Sequence, residues 1–110
     1  MSEPLGPRLE VEVEHEADPP RVVLVGEVDL SAADRLRVLL LDVVDRHPRS
    51  GLAVDLSGLQ FMDSSGLGIL ISCSKRVGGA GPVRLVRPAP MVIRLLEVSG
   101  CAHLFDIVER

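Results

Sequence analysis

The 110-residue chain contains no tryptophan and no tyrosine, and Phe61 and Phe105 are its only phenylalanines. Bases therefore have almost nothing to stack on. Positive charge is also short: 12 Lys+Arg stand against 16 Asp+Glu, a net charge of -4, so there is no broad basic footprint either. These two absences exclude nucleic acid as a partner. Cysteine is limited to Cys73 and Cys101, which form no C-x-x-C pair. Spacing alone leaves a disulfide between them open, but two buried free thiols are the ordinary state of a cytosolic domain. No apolar run approaches the roughly 18 residues of a membrane-spanning helix; residues 36–44 come nearest, and charges bound and interrupt them. Residues 1–8 have neither the basic start nor the apolar stretch of a signal peptide. The expected setting is the cytoplasm, without membrane contact.

Signatures of catalysis are missing as well. No serine sits in a G-x-S-x-G elbow, and Gly78-Gly79-Ala80-Gly81 is not followed by the G-K-[ST] of a phosphate-binding loop. His15 closes an exposed strand, His47 sits in the last turn of a helix where its charge suits the dipole, and His103 lies in a late loop. No pair of them has metal-ligand spacing. Asp29, Asp55 and Asp63 could cluster at one sheet edge, but a hydrolase or metal enzyme is a poor reading of so little. No cofactor and no resident metal is expected.

What is present is 46% hydrophobic residues, nearly all Leu, Val, Ile and Ala, enough for one core. Residues 1–7 read as a short flexible tail. Leu9, Val11 and Val13 alternate with glutamates, the pattern of a strand with one buried face at a sheet edge. After the turn at Asp18-Pro19-Pro20, residues 22–25 form a continuous apolar run that predicts a strand covered on both faces. G-E-V-D-L at residues 26–30 leads into a helix that Ser31 can cap, with Asp34 in its first turn. Leu36, Leu39, Leu40, Val43 and Val44 give that helix its apolar face, and Pro48 ends it. A third strand covers residues 52–56, followed by a loop over residues 57–62. A second helix starts near Ser64 and carries Leu67, Leu70, Ile71, Ser74 and Val77 inward. Beyond the glycine break come a strand at residues 83–86, a helix opened by Pro90 with Val92, Ile93, Leu95 and Leu96 as its core residues, and a last short strand at residues 104–108. The predicted fold class is α/β: a single domain with a mixed, mostly parallel sheet packed with about three helices, in the order β-β-α-β-α-β-α-β.

The most informative segment is L-Q-F-M-D-S-S-G-L-G-I-L-I at residues 59–71. Asp63 or Ser64 can cap the helix there. Gly66 and Gly68 cost about 1 kcal/mol each against alanine inside a helix, so their presence points to a packing or docking need. F-M-D-S-S-G-L-G at residues 61–68, preceded by V-D-L at residues 54–56, closely resembles the bacterial STAS family. Within it, the match is to small single-domain anti-sigma factor antagonists of sporulation and stress signalling. Gly26-Glu27-Val28-Asp29 matches the family's G-E-[LVI]-D motif. Gly79 with the strand after it, and Leu95, Leu96, Ser99 and Gly100, match its later segments. The resemblance spans about residues 8–108, within a domain assigned to residues 8–110. The chain stops at Arg110, where many family members continue into another helix.

That resemblance implies a protein switch and not an enzyme. The serine directly after the motif aspartate, Ser64, is then the residue phosphorylated by an anti-sigma factor that is itself a GHKL-type serine kinase. Unphosphorylated antagonist holds this kinase and frees the sigma factor; phosphorylated antagonist lets go, and a metal-dependent, PP2C-type phosphatase restores it. Asp29, Met62, Asp63, Ser64, Ser65, Gly66 and Leu67 are the expected partner-binding residues. Ser65 competes as phosphoacceptor but more naturally faces inward or caps the helix; Ser31 and Ser57 read as cap and turn residues. A helix start would itself welcome a phosphate, so release has to come from bulk and carboxylate repulsion on the partner side. The rival implication is a standalone STAS subunit docked on the ATPase of a lipid-transport complex, with no covalent switch.

Overall fold

A computed structural model describes residues 2–109; Met1 of the expected tail and the terminal Arg110 lie outside the described residues. Six strands form one mixed sheet in simple sequential order: β1 (Ser2–Gly6), β2 (Leu9–Glu14), β3 (Arg21–Val28), β4 (Ala53–Met62), β5 (Val83–Val86) and β6 (Phe105–Val108). Pairing is antiparallel from β1 to β3 and parallel from β3 to β6. Helices α1 (Leu30–Arg46), α2 (Ser64–Val77) and α3 (Pro90–Ser99) make the three parallel crossovers. All three crossovers step the same way across the sheet, so right-handed connections put every helix on one face. The α/β class and the three helices are as the sequence predicts.

The burial pattern follows from that one-sided cover. On β2, Leu9 and Val11 are buried while Glu10 and Glu14 are exposed. On β3, Val22 and Leu24 are fully buried but Val25 is 48% exposed, so residues 22–25 do not form the doubly covered strand that their composition predicts. Leu36, Leu40, Val43 and Val44 of α1 pack with Leu67, Leu70 and Cys73 of α2 and with Val92 and Leu96 of α3 into one cluster above the sheet. Leu39, Ile71 and Leu95 are only partly buried, at the margin of that cluster.

Two further expectations are corrected. Ser2–Gly6, read as a tail, pairs antiparallel with β2, and β1 is therefore the edge. An edge strand needs backbone partners on one side only, and a single apolar anchor, the half-buried Leu5, is too little to produce a period of two. Residues 57–62, read as a loop, continue β4: Gly58, Leu59, Phe61 and Met62 are register partners of Val25, Gly26, Glu27 and Val28. Parallel pairing to β3 outweighs the local turn preference of Ser57-Gly58. Gly26 itself is obligatory, because its φ is +114° and a Cβ would collide with the Arg8 carbonyl.

Candidate functional site

The parallel register of β3 and β4 determines where the site lies. Val28 and Met62 are partners at the carboxyl ends of the two strands, and the Asp63 N–H donates to the Val28 carbonyl at 3.3 Å. The next residues, Asp29 and Asp63, cap α1 and α2, so two helices begin side by side at this sheet edge. In open α/β sheets this edge is where recognition concentrates. The G-E-V-D turn is thereby brought against the D-S-S-G segment, although 34 positions separate the two aspartates.

Asp63 has its backbone in the extended region and its Oδ1 accepts from the Ser65 N–H at 3.0 Å and the Gly66 N–H at 3.3 Å. The Ser65 hydroxyl also donates to the same oxygen. Ser65 is thus half-buried and held to its cap. Ser64, the first residue of α2, is exposed, and its side chain makes no hydrogen bond among the described residues. The local sequence D-S-S therefore divides its hydroxyls, one bound to the cap and one turned outward.

Asp29 repeats the device. Its Oδ1 accepts from the Ser31 N–H at 3.0 Å and the Ser31 hydroxyl at 2.5 Å. These bonds, the hydroxyl's foremost, hold the carboxyl below the usual carboxylate range, so it is a fixed negative charge at neutral pH. Asp29, and not Ser31, is therefore the cap of α1: both residue types suit the position, and the turn out of β3 decides between them. Asp55 does not join the other two carboxylates. It is 3% exposed, in register with Val23 on the face of the sheet away from the helices, where Arg21 and Arg87 lie against it. No cluster of three metal-ligating side chains exists among the described residues.

The remaining expected partner-binding residues divide by burial. Met62 is 2% exposed, Leu67 is 7% exposed and Gly66 is buried; these three shape the site from beneath and present no surface to a partner. Gly66 is small because α2 crosses Met62 and Val28 closely: a Cβ would stand 2.5 Å from Met62 Cγ and 3.0 Å from Val28 Cγ1. Gly68 is different. A Cβ there would meet nothing within 4 Å, so it answers no packing need in the protein itself. It lies in a groove of about 300 Å³ between α1 and α2, lined by Leu30, Ala33, Asp34, Arg37, Ser65 and Gly68, among others.

Leu30 and this groove are what the sequence reading missed. Leu30 is 79% exposed at the first turn of α1, beside Asp29. The signal was available: at about 100° per residue, Leu30 falls about 100° off the middle of the apolar face that Leu36 and Leu40 define. Leu30 lines the groove together with Ser65 and Gly68, so the groove has an exposed apolar margin on the α1 side.

A family model described as "Mlab, STAS domain" matches residues 11–109. An anti-sigma F factor antagonist from Paenibacillus polymyxa is 33% identical over 102 residues, covering 92% of this chain and 87% of its own. The crystal structure of an anti-sigma factor antagonist from Mycobacterium paratuberculosis superposes with a TM-score of 0.83 at 27% identity, over 100% of this chain and 92% of that one. The Bacillus cell fate determinant SpoIIAA in its phosphorylated form shares the fold, with a TM-score of 0.67 at 23% identity over 89% and 90% of the two chains.

Proposed function

Because the chain belongs to the STAS-domain family of anti-sigma factor antagonists, whose members are regulators and not enzymes, we propose that it binds an anti-sigma factor through the paired helix starts and is released by phosphorylation of Ser64. The observation that carries this reading is the contrast between the two serines: Ser65 is bonded to Asp63, while Ser64 stands open at the head of α2. A partner that is itself a GHKL-type serine kinase can close over so small a neutral group and transfer a phosphoryl group to it, with the hydroxyl oxygen displacing the nucleoside diphosphate.

The same geometry explains why the phosphate would be unwelcome. Helix starts ordinarily attract phosphate through their free N–H groups. Here the Ser65 and Gly66 N–H groups already donate to Asp63, so the expected welcome is largely used up. A phosphate adds about -1.5 to -2 charges. It would stand directly after the Asp63 carboxylate, at the same sheet edge where Asp29 caps α1. A partner covering it buries an unpaired dianion, and each 1.4 kcal/mol lost weakens the complex about tenfold. Leu30 and the α1–α2 groove supply the apolar contact, while Asp29 adds a fixed negative charge that opposes a second anion at the same edge. A PP2C-type phosphatase resets the switch.

The test is direct. Incubated with its anti-sigma kinase and ATP, the protein should be modified at Ser64 and not at Ser65. Ser64→Ala should escape modification and still bind; Ser64→Glu should bind more weakly. Equal affinity of the phosphorylated and unphosphorylated proteins would refute the charge switch. If purified protein instead captured a lipid-transport ATPase irrespective of the state of Ser64, the rival reading would replace this one.

A further inference from the structure

At the other end of the sheet from Ser64, two histidines meet that are 32 positions apart: His15 Nδ1 and His47 Nε2 are 3.0 Å from each other. Their rings are stacked with centroids 5.3 Å apart and planes inclined by 25°. His15 follows β2, at the turn that leads into β3, and His47 is the residue that ends α1. Both rings hang from backbone tied into hydrogen-bonded structure. The His47 N–H donates to Val44 O and its carbonyl accepts from the Ser50 N–H, both at 3.1 Å, while Glu14, immediately before His15, is paired in register with Arg21. His15 is exposed and His47 half-buried, so the pair is open to solvent.

The separation is informative because it is the one that two ligands of a single ion adopt. Metal–imidazole bonds of about 2.0–2.1 Å at angles between 90° and 109° place the two nitrogens about 2.8–3.4 Å apart. We propose that His15 and His47 form a two-histidine site for a divalent first-row transition ion, Zn2+, Ni2+ or Cu2+, that pins the β2–β3 turn to the end of α1. Without metal, one of the facing nitrogens carries the hydrogen that the other accepts. On metal binding that hydrogen moves to the far nitrogen of the same ring, so both facing nitrogens offer lone pairs and no net proton is lost from the neutral pair. Water completes the coordination. Imidazole ligands select soft or borderline ions, with Cu2+ the tightest, and the pair offers nothing to Mg2+, which requires oxygen donors.

The experiment uses the full chain freed of any affinity tag, titrated calorimetrically with Zn2+, Cu2+ and Mg2+ as chlorides, alongside His15→Gln, His47→Gln and His103→Gln. The expected result is one Zn2+ or Cu2+ per chain, no Mg2+, a dissociation constant at least about tenfold higher in each of the first two variants, and no change in the third. Thermal unfolding should shift upward by several degrees with saturating Zn2+ in the unmodified protein only. The electron paramagnetic resonance spectrum of the Cu2+ complex of the unmodified chain should show two coordinated nitrogens, a readout that requires no variant to fold. Unchanged affinity in either His15→Gln or His47→Gln, a Cu2+ spectrum with a single nitrogen, or no binding of Zn2+ and Cu2+ would overturn the proposal.

Discussion

The two helix glycines allow a paired prediction in which the same substitution has opposite signs two residues apart. Replacing glycine by alanine inside a helix stabilises by about 1 kcal/mol through backbone entropy and propensity alone. At position 68 nothing opposes that gain, since the added methyl meets no atom within 4 Å. Gly68→Ala should therefore stabilise by about 0.5–1 kcal/mol, raising the melting temperature by roughly 2–4 °C. At position 66 the methyl would lie 2.5 Å from Met62 Cγ and 3.0 Å from Val28 Cγ1, both on buried side chains. Overpacking of this kind costs about 1–3 kcal/mol. With the propensity gain subtracted, Gly66→Ala should destabilise by up to about 2 kcal/mol. Urea unfolding with m held constant would measure both. A Gly66→Ala variant more stable than the parent, or a Gly68→Ala variant less stable, would refute the packing argument. The same pair probes function, because a larger side chain at position 68, Gly68→Leu, fills the α1–α2 groove without touching the core and should weaken anti-sigma binding while leaving the fold intact.

Other perturbations follow from the core and its charges. Burial alone would raise the Asp55 carboxyl, but the Ser57 hydroxyl and N–H and the Arg21 guanidinium outweigh it and hold Asp55 below the usual range. A carboxyl depressed on folding stabilises above its unfolded value near pH 4 and loses that contribution as pH falls through the lower folded value. Asp55→Asn should thus cost about 1–3 kcal/mol at neutral pH and should flatten the acid limb of the stability profile below about pH 4, as measured by urea titration across pH. Cys73 is buried and its thiol is pushed up to about 12 by desolvation, so in native protein only the half-buried Cys101 should react with Ellman's reagent, and both in denaturant. Leu40→Asp places an uncompensated charge at a fully buried position and should abolish the cooperative thermal transition in calorimetry.

What the sequence disclosed depended on how local the physics was. The start of α2 was legible because a cap and the 3.6-residue spacing of Leu67, Leu70 and Val77 act within a few residues of one another. β1 was not, because its pairing is carried by backbone groups common to every residue. Residues 57–62 misled for a related reason: Ser57 and Gly58 carry turn preferences, and only the neighbouring β3 overrides them. Extending β4 to Met62 in turn moved Met62 from a candidate docking residue to the core. Gly66 and Gly68 are indistinguishable in composition, since what separates them is whether Met62 and Val28 lie across from the helix. Leu30 was legible in principle, through its angle to the apolar face, but an exposed leucine gains meaning only beside a groove that a second helix completes.

The sequential order of the sheet has a consequence in time as well as in space. Each strand docks against the one made immediately before it, and no later segment has to be inserted between strands already paired. A nascent chain can therefore grow its sheet outward as it leaves the ribosome, with the β1–β3 meander first and the crossovers added one by one. Under this scheme β6 follows the other five strands and, among the described residues, pairs with β5 alone, so native-state hydrogen exchange should find its amides opening before those of β3 and β4 at the centre.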